Sequence, residues 1–258
     1  MELLTILLSG LLTLASPAGI VLDAAVAGEI RERLYSSEEL QVRIDNSPSY
    51  QFLQGKVERV RIAGRGLWLT PDARIDTLEL ETDPINIDRN YLGREGLRSP
   101  AAFALHLVLK EADINRALTS AEFLDNFQSL LPTLFSSPTL QQNARRYRLV
   151  NPQVRFLEQN RVRFETEIEE RGYTDRLKIT VETGIGLARG RRLQLLAPMV
   201  LVNGRPAPGQ FVKGLLAAAA RFDLQKLEQR GILARFLQFN FDSDKVEIAL
   251  FARMAVGR

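Results

Sequence analysis

Residues 147–204 read YRLVNPQVRFLEQNRVRFETEIEERGYTDRLKITVETGIGLARGRRLQLLAPMVLVNG, with long runs in which polarity changes at every second position. That period marks strands with one covered face. Turn chemistry falls at Gln159-Asn160, between Gly172 and Asp175, at Arg189-Gly190 and at Asn203-Gly204. Joints this short connect antiparallel neighbours only, because a parallel crossover needs a dozen residues or more. The stretch therefore predicts hairpins in series.

Outward from it the same period recurs. LQVRID (40–45), KVERVRIAGRGLWL (56–69), ARIDTLELET (73–82) and AAFALHLVLK (101–110) read as strands, with turns at Asn46-Ser47-Pro48, Thr70-Pro71-Asp72 and Asp83-Pro84. ILARFLQFNFD (232–242) and KVEIALFARM (245–254) form a closing hairpin through Asp242-Ser243-Asp244. Helical spacing is confined to a few places. These are 17–35, EADINRAL, SAEFLDNFQSLL with Ser120 as N-cap, 208–222, and FDLQKLEQRG up to a stop at Gly231. Strands and helices do not alternate at βαβ spacing, so a parallel nucleotide-binding sheet is not expected. The expected class is α+β, with 17–258 as one domain behind an apolar segment, 1–16.

Residues 3–22, LLTILLSGLLTLASPAGIVL, carry no charge. Ser16-Pro17 reads as an N-cap and first helical position, which leaves 3–15 too short to span a membrane. Two readings remain open for this end. Ala25-Val26-Ala27 has the small-x-small form of a signal cleavage site, yet Met1-Glu2 lacks the basic start of a signal peptide. The other reading is an uncleaved apolar foot on a membrane.

Composition removes many activities. The 258 residues include no cysteine and one histidine, which excludes thiol nucleophiles, cysteine-zinc sites and paired-histidine chemistry. The net charge of +3 is too balanced for a dedicated nucleic-acid binder. The excess is local: residues 141–205 hold 13 Arg/Lys against 7 Asp/Glu. Gly64-Arg65-Gly66 lacks dinucleotide-binding spacing and reads as a bulge. His106 reads as a satisfied or edge histidine. Asp76, Glu79, Glu81, Asp83 and Asp88 read as solvated strand faces, and Asp242 and Asp244 as a hairpin tip. No catalytic set, metal site or cofactor is expected.

The strand 193–202 alternates at its start and then becomes apolar on both faces, at LLAPMVLV. Such a strand needs cover on both sides. Helices 17–35 and 208–222, the second with small residues from Ala217 to Ala220, are the candidates to supply it. A twisted sheet around these helices predicts an apolar channel for acyl chains, lined by Ile20, Ala24, Ala27, Leu195, Met199, Phe211, Leu215, Ala219 and Phe222. Arg189, Arg191 and Arg192 crowd one hairpin tip, where they can meet anionic head groups. The alternative is a filled core in a membrane-associated scaffold or assembly factor.

LQVRIDNSPSYQFLQGKVERVRIAGRGL, LELETDPINID, LKEADINRAL and the VNGRPAP segment before the 208–222 helix together resemble the LmeA-like family, its cyanobacterial branch in particular, over nearly the whole chain. The resemblance implies a fold similar to the tubular lipid-binding (TULIP, BPI-like) proteins: a highly twisted antiparallel sheet wrapped around long apolar helices. It also implies non-enzymatic binding of phospholipid or glycolipid without a cofactor, and association with a membrane of the cell envelope or thylakoid. Family members often enter the envelope through a basic signal sequence, and the Glu2 start departs from that pattern.

Overall fold

A computed structural model describes residues 22–46, 51, 54–88, 96–130, 146–170, 172, 175–220, 223–229 and 231–255. Segment 1–16, Ile20 and Phe222 lie outside the described residues. The elements are α1 (Leu22–Arg33), β1 (Ser36–Asp45), β2 (Lys56–Val57), β3 (Arg59–Trp68), β4 (Arg74–Thr82), β5 (Ile85–Asp88), β6 (Gly96–Leu97) and β7 (Ala101–Lys110). Then come α2 (Glu111–Leu118), α3 (Ala121–Leu130), β8 (Tyr147–Leu157), β9 (Arg161–Glu170), β10 (Arg176–Ala188), β11 (Arg192–Val202) and β12 (Arg205–Pro206). The chain closes with α4 (Gly209–Ala219), α5 (Gln225–Glu228), β13 (Ile232–Phe241) and β14 (Lys245–Met254). It is an α+β protein, mostly antiparallel strand. It divides into two compact units: Met1–Leu109 with Leu224–Gln238 and Glu247–Arg258, and Lys110–Asp223 with Phe239–Val246.

The first unit is organised on a sheet of order β1-β3-β4-β7-β14-β13. Alternation puts Val60, Ile62, Leu78, Leu80 and Leu105 on one face, where they join Val26 and Ile30 of α1, and Leu34 just after it, in a buried cluster. Ser120 caps α3 in the second unit as its sequence predicts, its Oγ accepting from the Phe123 N–H at 3.2 Å.

The two principal helices are shorter than their sequence suggests. α1 ends at Arg33 because the Tyr35 N–H is already bonded to the Trp68 carbonyl, at 2.9 Å, so the chain has joined the sheet. It exposes Asp23, Arg31, Glu32 and Arg33 and buries one side only. α4 runs between Pro208 and Ala220 and has no fully buried side chain. Within the described residues neither is the long apolar helix expected.

Gly64 and Gly66 do not form a bulge. The β3 register with β1 and β4 carries no inserted residue. Gly66 instead has φ 55°, and the buried positions change from Val60, Ile62 and Gly64 to Leu67 across it. The inward Leu67 fills the space over Gly64, where a Cβ would stand 2.6 Å from its side chain. One left-handed residue thus reverses the pleat without changing the pairing.

The second unit is the series of hairpins, in the order β12-β11-β10-β9-β8. Its turns at Gln159-Asn160, Arg189-Gly190 and Asn203-Gly204 have positive φ at both residues, the form that matches strand twist. Two bulges interrupt the ladders, at Asn151-Pro152 opposite Thr166 and at Ala197-Pro198 opposite Thr183. Proline supplies no N–H to a ladder, so the register slips at each, with the preceding residue in the left-handed region. The buried Thr166 and Thr183 hydroxyls donate to the carbonyls of Val150 and Leu196, at 3.0 and 3.2 Å, and so bond the strand beside each bulge.

The outer edge of β8 is covered by α2. The Asn115 amide accepts from the Val154 N–H at 2.7 Å and donates to the Val154 carbonyl at 2.9 Å, while Glu111 accepts from the Phe156 N–H at 2.6 Å. Side chains one helical turn apart thus meet residues two apart on the strand, which blunts the free edge.

Candidate functional site

Register sorts the second unit's sheet into two unlike faces, because directly paired residues point the same way. One face carries Leu149, Val154 and Phe156 of β8, and Val162, Phe164 and Ile168 of β9. It continues through Leu177, Ile179, Val181, Ile185 and Leu187 of β10 to Leu193, Leu195, Val200 and Val202 of β11. Only Leu149, Phe156, Ile179 and Val200 of these are buried. The remainder is half-buried, and Leu177 is exposed.

The flanks of this apolar face are built. α4 makes its main contacts with β11, and α2 and α3 make theirs with β8, so the helices meet the outer strands. At one end the β13–β14 tip contributes Phe241, 4.9 Å from the Phe156 ring, and Asn160 ties it down by accepting from the Phe241 N–H at 2.7 Å. β10, with 13 residues at about 3.3 Å each, runs roughly 40 Å, longer than the hydrocarbon core of a whole bilayer.

The opposite face is charged. Arg148 pairs with Glu169, Arg176 with Glu167 and Glu169, and Lys178 with Glu165, while Arg161 and Arg163 share Glu182. The Glu167 carboxylate beside Arg176 raises that guanidinium's pKa. The Arg163 guanidinium, with Arg161 after it, holds the Glu182 carboxyl below its ordinary range against the opposing effect of burial.

The predicted site residues fall in both units. Ala27 is buried in α1 and Ala24 is exposed there, within the first unit. Leu195, Phe211, Leu215 and Ala219 are half-buried in the second unit, Met199 is exposed, and Leu195 lies on the apolar face. The second-face cover expected for 193–202 is absent among the described residues at Leu196 and Met199, which are 48% and 49% exposed. At the arginine tip Arg189 and Arg192 are exposed, whereas the Arg191 Nε lies 3.9 Å from Asp223.

The first unit has a separate cleft of about 500 Å³ on its outer sheet face. His106 lies in it, Nδ1 3.3 Å from Glu79. Its arginines are already engaged: Arg43 and Arg61 both bond Asp45, and these contacts, Arg61 foremost, depress the Asp45 pKa. No group of three or more potential metal ligands occurs among the described residues. No helix among them is long and apolar enough to cross a membrane.

A family model for LmeA-like phospholipid-binding proteins matches residues 13–251. The chain belongs to the LmeA-like phospholipid-binding family. No curated protein and no solved structure matches it. The family match spans both units, so the unequal apolar cover of the two sheets lies within one LmeA-like chain. Sequence reading missed Phe164, Val181, Ile185 and Leu187 as candidates for the apolar face. Their signal was available in the alternation of 161–188, but their common face follows only from the register.

Proposed function

We propose that this LmeA-like protein is a non-enzymatic phospholipid carrier that shields acyl chains against the apolar face of its second unit. The observation that carries the reading is that broad, half-covered face, in a chain whose family binds phospholipid. Leu195, Phe211, Leu215 and Ala219 would border the chain near β11, and Val181 and Ile185 would form its floor. Each methylene taken from water is worth about 0.8 kcal/mol, so modest cover suffices to hold a long chain. Arg189 and Arg192 would meet the head group or the membrane from which the lipid is drawn. Carriage between membranes or maintenance of one membrane follows from reversible shielding.

The test is the lipid itself. Purified protein, delipidated and then incubated with phospholipid liposomes, should yield near-equimolar phospholipid on organic extraction and mass spectrometry. Recovery of none rejects the proposal. Ala219→Trp adds bulk beside the proposed chain, so bound lipid should fall while the melting temperature of the delipidated protein barely moves. A marked drop in melting temperature with unchanged lipid content would show a filled core at α4 instead.

A further inference from the structure

The charged face of the second unit's sheet is not uniform along its length. Towards the β9–β10 connection it is balanced, with Arg148, Arg176 and Lys178 closing ion pairs on Glu165, Glu167 and Glu169. Towards the β8–β9 and β10–β11 turns the register sets two rows across four strands. One is Arg155–Arg163–Glu182–Met199, and the next is Leu157–Arg161–Gly184–Leu196. Arg161 and Arg163 there share the Glu182 carboxylate, and Arg155 stands beside them.

Arg155 and Arg163 are direct cross-strand partners, an arrangement of like charges that costs stability. Arg155 is exposed, and its side chain has no hydrogen bond or ion pair among the described residues. Beside this positive cluster stand the exposed Leu196 and Met199. Leu196 is held flat against the sheet, since Gly184 and Gly186 leave the room it occupies: a Cβ on them would come within 3.2 and 3.0 Å of it. The exposed Arg192 and Arg189 continue the positive field at the same end.

We infer that this end of the charged face docks on an anionic lipid bilayer, with Arg155, Arg161 and Arg163 on lipid phosphates and Leu196 and Met199 entering the interface. Charge complementarity selects the partner: the Arg155 guanidinium, beside two arginines that divide one carboxylate between them, calls for anions, and exposed apolar side chains alongside call for a surface that is itself partly apolar. The docking face is opposite the proposed acyl-chain face. It rests on the reading that the protein works at lipid surfaces, but not on any lipid being carried.

The test is co-sedimentation with phosphatidylcholine vesicles containing or lacking phosphatidylglycerol, across a salt series. Arg155→Gln and Arg176→Gln remove the same charge from the two ends of one face. Arg155→Gln should weaken binding to the anionic vesicles about fivefold and Arg176→Gln less than twofold. Leu196→Ser with Met199→Ser should abolish the binding that persists at high salt. Equal losses from the two arginine variants, or unchanged binding by the folded double variant, would overturn the inference. Loading with monomeric short-chain phospholipid, read by mass spectrometry, separates the two ideas. Docking variants that still load support it, and variants that lose loading but still dock overturn it. Wild-type protein that docks but takes up no lipid defeats the carrier proposal alone.

Discussion

The two units start from the same material, antiparallel strands with one apolar face, and finish differently. In the first, α1 brings Val26 and Ile30 against Ile62 and Leu78, and all four side chains are at most 1% exposed. In the second, the helices meet β11 and β8 at the margins, and Val181, Ile185 and Leu187 on the middle strand stay half-buried. Placement of helices, more than composition of strands, separates a packed core from a half-covered apolar face. A core is already at close-packed density and has no volume to offer. A half-covered sheet keeps apolar area whose burial by a ligand is favourable.

That contrast is open to direct attack. Leu78→Ala should destabilise the protein by about 2 to 5 kcal/mol in urea unfolding, because the cavity cannot collapse around a fully buried position. Ile185→Ala should cost less than half as much in delipidated protein. Equal costs would mean that the second unit is as closed as the first.

Gly66→Ala should cost about 1 to 2 kcal/mol, since the residue must hold φ 55°, with Glu38 moving aside for the new Cβ. Gly184→Ala, whose φ is ordinary and whose Cβ would touch Leu196 at 3.2 Å, should cost less and should lift Leu196 off the sheet. Thermal melts of the pair, with vesicle binding measured for the second, separate backbone strain from surface fit.

Asn115→Ala removes an acceptor and a donor from the edge of β8. A loss of about 1 kcal/mol is expected. Concentration-dependent self-association by light scattering should accompany it, because the uncovered edge can pair with another strand.

The smallest effect is electrostatic. Glu182 has a folded-state pKa lowered by Arg163 and Arg161. Its contribution is therefore present above its unfolded pKa and is lost as pH falls through the folded value. The pair is partly solvated, so less than about 1 kcal/mol is at stake. Comparison of wild type with Glu182→Gln should show the difference shrinking as the pH is taken down through the acid range. A difference that does not change with pH would mean that the ion pairs contribute nothing.

Much of the strand plan was legible because its determinants are local. AAFALHLVLK and KVEIALFARM coincide with β7 and β14, and the predicted turns at Gln159-Asn160, Arg189-Gly190 and Asn203-Gly204 have positive φ, which their second residues, Asn160, Gly190 and Gly204, favour. The helix ends were less legible. Tyr35 leaves the helix for a carbonyl on a strand that lies over thirty residues away in sequence, and no local pattern announces such a partner. The glycine pair 64 and 66 announced an irregularity, but a bulge and a reversed pleat require the same residue type.

By itself, then, the sequence determined the elements, their antiparallel order in 147–204, the family and the location of the basic excess, because periodicity, turn chemistry and charge are properties of short stretches. Tertiary structure alone decided which greasy strands would be covered. LLAPMVLV called for cover on two sides, yet Leu196 and Met199 stand exposed. It also decided which arginines would be neutralised. Arg155 and Arg176 are indistinguishable in composition, but register places Arg176 opposite Glu169 and Arg155 opposite Arg163. Cover and neutralisation depend on distances between segments, and those distances are fixed only when the strands have paired.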